Sequence, residues 1–62
     1  MHTGKIVRVS GPVVDCAGFD GALPKIKEAL TVTVSGEVRT MEVAAHIGDG
    51  TVRCVLLAGS EN

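Results

Sequence analysis

Leu30-Thr31-Val32-Thr33-Val34-Ser35 alternates apolar and hydroxyl side chains without a break. A strand turns successive side chains to opposite faces, so Leu30, Val32 and Val34 share one side and Thr31, Thr33 and Ser35 the other. The pattern is that of a β-strand with one buried and one solvated face. Ser35-Gly36-Glu37 follows at once, and glycine accepts the positive φ that a tight hairpin requires. The return strand is expected over residues 38–45. Met41, Val43 and Ala45 would point inward, Thr40, Glu42 and Ala44 outward, and His46 falls on the outward set.

The same grammar extends in both directions. Ile47-Gly48-Asp49-Gly50 reads as a second turn, and residues 51–58 as the last strand. That strand carries Val52, Cys54, Leu56 and Ala58 on one face, yet Val55 and Leu57 make the other face apolar too. It is either covered on both sides or offers a strip to a partner. Toward the N-terminus, residues 5–10 form a β-branched run that ends at Gly11-Pro12. Pro12 has no N–H to give a ladder, so it can only start the next strand, over residues 12–16, or sit at an edge. Residues 17–23 are a glycine-punctuated loop, and residues 24–30 hold at most one helical turn. Residues 59–62 read as a turn and tail. The expectation is an all-β single domain over residues 1–62, a small antiparallel Greek-key-like barrel of about five strands.

Composition narrows the function. At 62 residues with 45% hydrophobic content and Phe19 as the one aromatic, the core must be aliphatic. A chain this short buries only about 60% of its unfolded surface, so its extra stability is expected from disulfides, a metal or a partner chain. A net charge of −1 gives no electrostatic footprint for nucleic acid, and a single aromatic gives no stacking platform. No apolar run approaches the ~20 residues of a membrane span, and Met1-His2-Thr3-Gly4 is not a signal segment. A cytoplasmic location is expected, without direct membrane insertion.

Residue chemistry points away from catalysis. There is no G-x-x-x-x-G-K-[ST] phosphate loop. His2, Cys16, His46 and Cys54 have no metal-ligand spacing, so no metal and no cofactor are expected. A nucleophilic pair of Cys54 with His46 is opposed by parity, since Cys54 would face the core and His46 solvent. Cys16 and Cys54 belong to no C-x-x-C pair and read as buried thiols, a disulfide being the reading for an oxidising compartment. Arg8, Arg39 and Arg53 read as outward strand residues that pair across strands with Glu37 or Glu42.

Several segments in order carry a family resemblance: Gly4-Lys5-Ile6-Val7, Gly11-Pro12-Val13-Val14-Asp15, Phe19-Asp20, Gly21-Ala22-Leu23-Pro24, Glu28-Ala29-Leu30, Glu42-Val43-Ala44, and His46-Ile47-Gly48-Asp49-Gly50-Thr51-Val52-Arg53. Together they resemble the N-terminal β-barrel of the catalytic beta subunit of the rotary ATP synthase, in a bacterial pattern. The resemblance implies a six-stranded barrel. In that family, barrels of alternating alpha and beta subunits form a crown, and the nucleotide sites lie in a later domain. No catalytic residue of that family maps onto this chain. Three departures stand out. Cys16-Ala17-Gly18 holds one residue more than the family pattern, which implies a longer loop or a bulge. Ala58 replaces an acidic residue, and Asn62 falls where the family continues into a closing strand.

These features set the functional expectations. The first is a non-catalytic packing module of an ATP synthase beta subunit, not itself an enzyme. Its partner is the alpha-subunit barrel, and its candidate interface residues are Val55, Leu57, Arg53 and Arg8. The chain would then be cytoplasmic, peripheral to the inner membrane through the complex. The second is a free-standing β-barrel interaction module unrelated to ATP synthesis. A third is a decoy that competes with the full beta subunit in assembly. An open barrel edge also implies self-association as a strand-paired homodimer, unless residues 17–30 fold over that edge.

Overall fold

The computed structural model describes residues 3–57. It contains β1 (Lys5–Ser10), β2 (Val13–Ala17), β3 (Ala29–Val34), β4 (Glu37–Gly48) and β5 (Thr51–Leu56). All pairings are antiparallel, in the order β1-β2-β5-β4-β3. Three hairpin-linked strands with β2 returning beside β5 make a Greek key. The sheet curls into a half-barrel whose two edges are β1 and β3.

Each hairpin is closed by two residues. Val34 pairs with Glu37 across Ser35 and Gly36, both at positive φ (52° and 80°). Gly48 pairs with Thr51 across Asp49 and Gly50, again both positive (54° and 73°). Two successive positive φ values define the type I′ turn, whose twist matches that of the strands it joins. Ser10 pairs with Val13 across Gly11-Pro12, so Pro12 belongs to the turn and β2 starts one residue later than expected. The last strand ends at Leu56 rather than residue 58, and Ala58 lies outside the described residues.

The inner face holds the core: Val14, Cys16, Met41, Val43, Val52 and Cys54, with Phe19, Leu23, Leu30, Val32 and Leu56 packed against it. Register shifts fall at Val7, Ala44 and Ile47, and the one at Ala44 changes the expected faces. Val7 is unpaired between Ile6↔Cys16 and Arg8↔Asp15. Ala44 is unpaired between Val43↔Cys54 and Ala45↔Arg53. An extra residue reverses the alternation beyond it. Ala45 therefore lies beside Arg53 on the outer face, and His46 beside Val52 on the inner one, opposite to the expected parity. No register shift interrupts the β2–β5 pairing.

Residues 18–28 run from one side of the half-barrel to the other. Asp20 N–H donates to Thr3 O at 3.3 Å, and Lys27 N–H to Val43 O at 2.7 Å. Glu28 N–H donates to Lys25 O, closing the single turn expected in this stretch. His46 Nε2 lies 2.6 Å from the carbonyl oxygen of Pro24, which can only accept, so Nε2 carries the proton. The loop thus ties both sides together at one end, while the strand edges of β1 and β3 stay open. Between them a cavity of about 120 Å³ is lined by Ile6, Cys16, Phe19, Leu30, Val32 and Met41, among others.

Phe19 closes that end by lying against Gly4. A Cβ on Gly4 would come within 2.7 Å of the Phe19 ring and 2.9 Å of the Ala17 carbonyl oxygen. The ring can swing aside, but the carbonyl belongs to the β2 backbone. Gly4→Ala is expected to cost about 1–3 kcal/mol by overpacking. A domain of this length has only roughly 3–9 kcal/mol in total. Urea titration followed by far-UV circular dichroism checks this, and an unchanged midpoint contradicts it.

Candidate protein interface

The outer face is organised by strand register. Arg8 on β1 pairs with Asp15 on β2, which pairs with Arg53 on β5, which pairs with Ala45 on β4. One row further, Ser10 pairs with Val13, Val13 with Val55, and Val55 with Glu42. Cross-strand neighbours share a face, so both rows are outward.

Asp15 is the centre of this face. It is only 5% exposed although its neighbours Val14 and Cys16 point to the opposite side. Arg53 covers it: Nε donates to Oδ1 at 3.0 Å and Nη2 to Oδ2 at 3.1 Å. This is the two-pronged carboxylate–guanidinium geometry, stronger than a single contact. The hydrogen bond from Arg53 holds the Asp15 carboxyl below its ordinary value of 3.8 against the opposing effect of burial. The charges of Arg53 and Arg8 add to the lowering. The same pairing raises Arg53.

All four candidate interface residues fall on one side. Arg8 and Arg53 flank Asp15, and Val55 lies one row away at 37% exposure. Leu57 is 41% exposed, and its N–H bonds to Thr40 O, carrying the ladder one residue past β5. Two shallow depressions flank Val55. One, of about 240 Å³, is lined by Arg8, Ser10, Val13, Asp15 and Arg53. The other, of about 260 Å³, is lined by Ile26, Lys27, Glu42, Val43, Ala44 and Val55. The expected partners of Arg53 were Glu37 or Glu42, and the structure corrects this to Asp15. Sequence reading had not singled out Asp15. Its signal was a lone carboxylate in the apolar run Val13-Val14-Asp15-Cys16, at the parity opposite to the buried residues.

The residues weighed for catalysis do not assemble. Cys54 is fully buried in the core, and the His46 ring is bonded to Pro24. The two thiols lie diagonally on adjacent strands, since Val14 pairs with Cys54 and Cys16 with Val52. Both are free. Burial raises both; the contact between them, with Cys54 as donor, adds to the rise of Cys54, which reaches about 11 in all, while partly lowering Cys16. Among the described residues there is no group of three or more His, Cys, Asp or Glu placed to hold a metal ion, and no helix long and apolar enough to cross a membrane.

A half-barrel with an aliphatic inner face and a mixed charged and apolar outer face defines a small β-barrel domain. Comparison with known families identifies which one. Residues 6–62 match the model of the ATP synthase alpha/beta family, beta-barrel domain, and the chain belongs to that family.

Two outcomes follow from the ionisable groups. Asp15 is lowered on folding, so its stabilising contribution is complete above its unfolded value and disappears as pH falls from about 4 through the folded value. Thermal melts of the native chain and of Asp15→Asn, run from pH 7 down to 2.5, are expected to differ at neutral pH and converge at the acid end. A constant gap would contradict the pairing. For Cys54, a rise from 9.0 to about 11 means about a hundredfold less thiolate at a given pH. Both thiols are therefore expected to resist alkylation at pH 8 until denaturant is added, as read by mass spectrometry. Rapid native labelling would contradict their burial.

Proposed function

We propose that this chain is the crown barrel of a beta-type ATP synthase subunit, and that its work is packing against a neighbouring alpha-type barrel rather than catalysis. The observation that carries this reading is the gathering of Arg8, Arg53, Val55 and Leu57 on one outer face. The Asp15–Arg53 fork holds part of that face rigid before any partner arrives, which lowers the entropic cost of association. Exposed Val55 and Leu57, at 37% and 41%, give it apolar area. The quoted segments from Gly11-Pro12-Val13-Val14-Asp15 to His46-Ile47-Gly48-Asp49-Gly50 support beta-type over alpha-type. The location that goes with this role is cytoplasmic, at the inner membrane through the assembled complex.

A second reading is self-association, and the edge strand β1 favours it. Its residues are all exposed, with Ile6 at 43%, Val7 at 59% and Val9 at 62%. Its outer N–H and C=O groups offer a template for another strand. A free-standing interaction module would use the same edge.

Native mass spectrometry of the chain, alone and mixed with the full-length alpha-type subunit of the same synthase, separates these readings. A heteromeric complex without ATP hydrolysis by this chain is the expected result. A homodimer that ignores the alpha-type subunit would overturn the crown reading.

A further inference from the structure

We propose that Arg8 and Arg53, set on either side of Asp15, form a carboxylate-binding site, and that the neighbouring subunit docks there through an acidic side chain. This rests on the packing role proposed above and specifies its chemistry.

The argument begins with charge. The outer row Arg8–Asp15–Arg53 holds two cations and one anion, a net charge of +1. Both carboxylate oxygens of Asp15 accept from Arg53, through Nε and Nη2. Arg8 is exposed on the other side of Asp15 and forms no ion pair among the described residues. Its guanidinium, with five donors in a planar fork, is uncommitted. The Arg53 side chain is itself 43% exposed, and its Nη1 donates to nothing among the described residues.

The surface is also shaped. The depression of about 240 Å³ is lined by these three residues together with Ser10 and Val13. Its lining therefore combines two arginines, a serine and a valine. A glutamate or aspartate side chain matches that lining. Its carboxylate meets the guanidinium fork in a planar, two-bond geometry, and its methylenes lie against Val13.

Asp15 sets the valence of the ligand. A monoanion brings the row to zero. A phosphate dianion would leave an excess negative charge beside a carboxylate that is already buried. The site therefore selects a carboxylate over a phosphate group. Val55, one row away, supplies apolar area that excludes water around the new pair once a partner covers it, and exclusion of water strengthens such a pair.

The test uses the whole chain and the full-length alpha-type subunit. Arg8 is the position to change, because altering Arg53 would leave Asp15 unpaired and disturb the fold. Binding is measured by isothermal titration at two salt concentrations for native chain, Arg8→Gln, Arg8→Glu and Arg8→Lys, with circular dichroism melts confirming that each variant folds. The expected result is a loss of about tenfold or more for Arg8→Gln, a larger loss for Arg8→Glu, and partial rescue by Arg8→Lys. Native binding should also weaken with salt more steeply than that of Arg8→Gln.

Arg8→Lys permits a second measurement that does not depend on affinity. Its amine can be joined to a carboxylate by a zero-length carbodiimide. The expected product links the residue-8 peptide to an Asp or Glu of the alpha-type subunit. Native-strength binding by Arg8→Glu, or a cross-link only to Asp15, would overturn the carboxylate site while leaving the packing role standing. No binding by any form, native chain included, would overturn both.

Discussion

The pairing of β2 with β5 is the constraint on which the rest of the molecule depends. Residues 13–16 meet residues 52–55 across nearly the whole chain. On the inner face this brings Val14, Cys16, Val52 and Cys54 into one buried cluster. On the outer face it brings Asp15 under Arg53. One strand pair therefore supplies both the apolar burial and the principal charged contact. Neither side works alone. The carboxylate would be costly to bury without the guanidinium, and the guanidinium would have no fixed orientation without the register that the core imposes. The local hairpins can form early, because each closes only two residues. The long-range pair then locks them into a single curled sheet.

The bulges at Val7 and Ala44 adapt this frame to its surroundings. At Val7 the extra residue brings Arg8 onto the outer face beside Asp15. At Ala44 it moves His46 to the inner side, within reach of the Pro24 carbonyl, at 2.6 Å. Without the first, Arg8 would point toward the core side. Without the second, the loop of residues 18–28 would lose an anchor to β4. Each bulge falls within its ladder, with paired residues on both sides, and redirects the side chains beyond it.

The outer face acquires its character from a small imbalance. Arg53 satisfies Asp15 fully, which leaves Arg8 as surplus positive charge in its row, beside the row Ser10–Val13–Val55–Glu42. A surplus cation in water costs little. The same cation covered by a partner needs a counter-charge. The whole chain carries a net charge of −1, while the row Arg8–Asp15–Arg53 sums to +1. The buried thiols play no comparable part. Burial holds protons on both and makes them small apolar residues of the core.

Much of this was legible in the chain itself. The alternation in Leu30-Thr31-Val32-Thr33-Val34-Ser35, the Ser35-Gly36 and Asp49-Gly50 turns and the aliphatic composition specify an all-β barrel, because side-chain parity and backbone φ preference are local properties. The ordered motifs specify the family. Parity failed at Ala45 and His46, since a bulge is created by strand pairing and leaves no clear mark in one strand's sequence. The partner of Arg53 was likewise out of reach. Glu37 and Glu42 were nearer in sequence, but Asp15, 38 residues away, is nearer in space. By itself the sequence determined which segments become strands, where they turn and which family they belong to. Only the tertiary structure decided which charges meet and which residues share the outer face, because register joins residues that have no proximity along the chain.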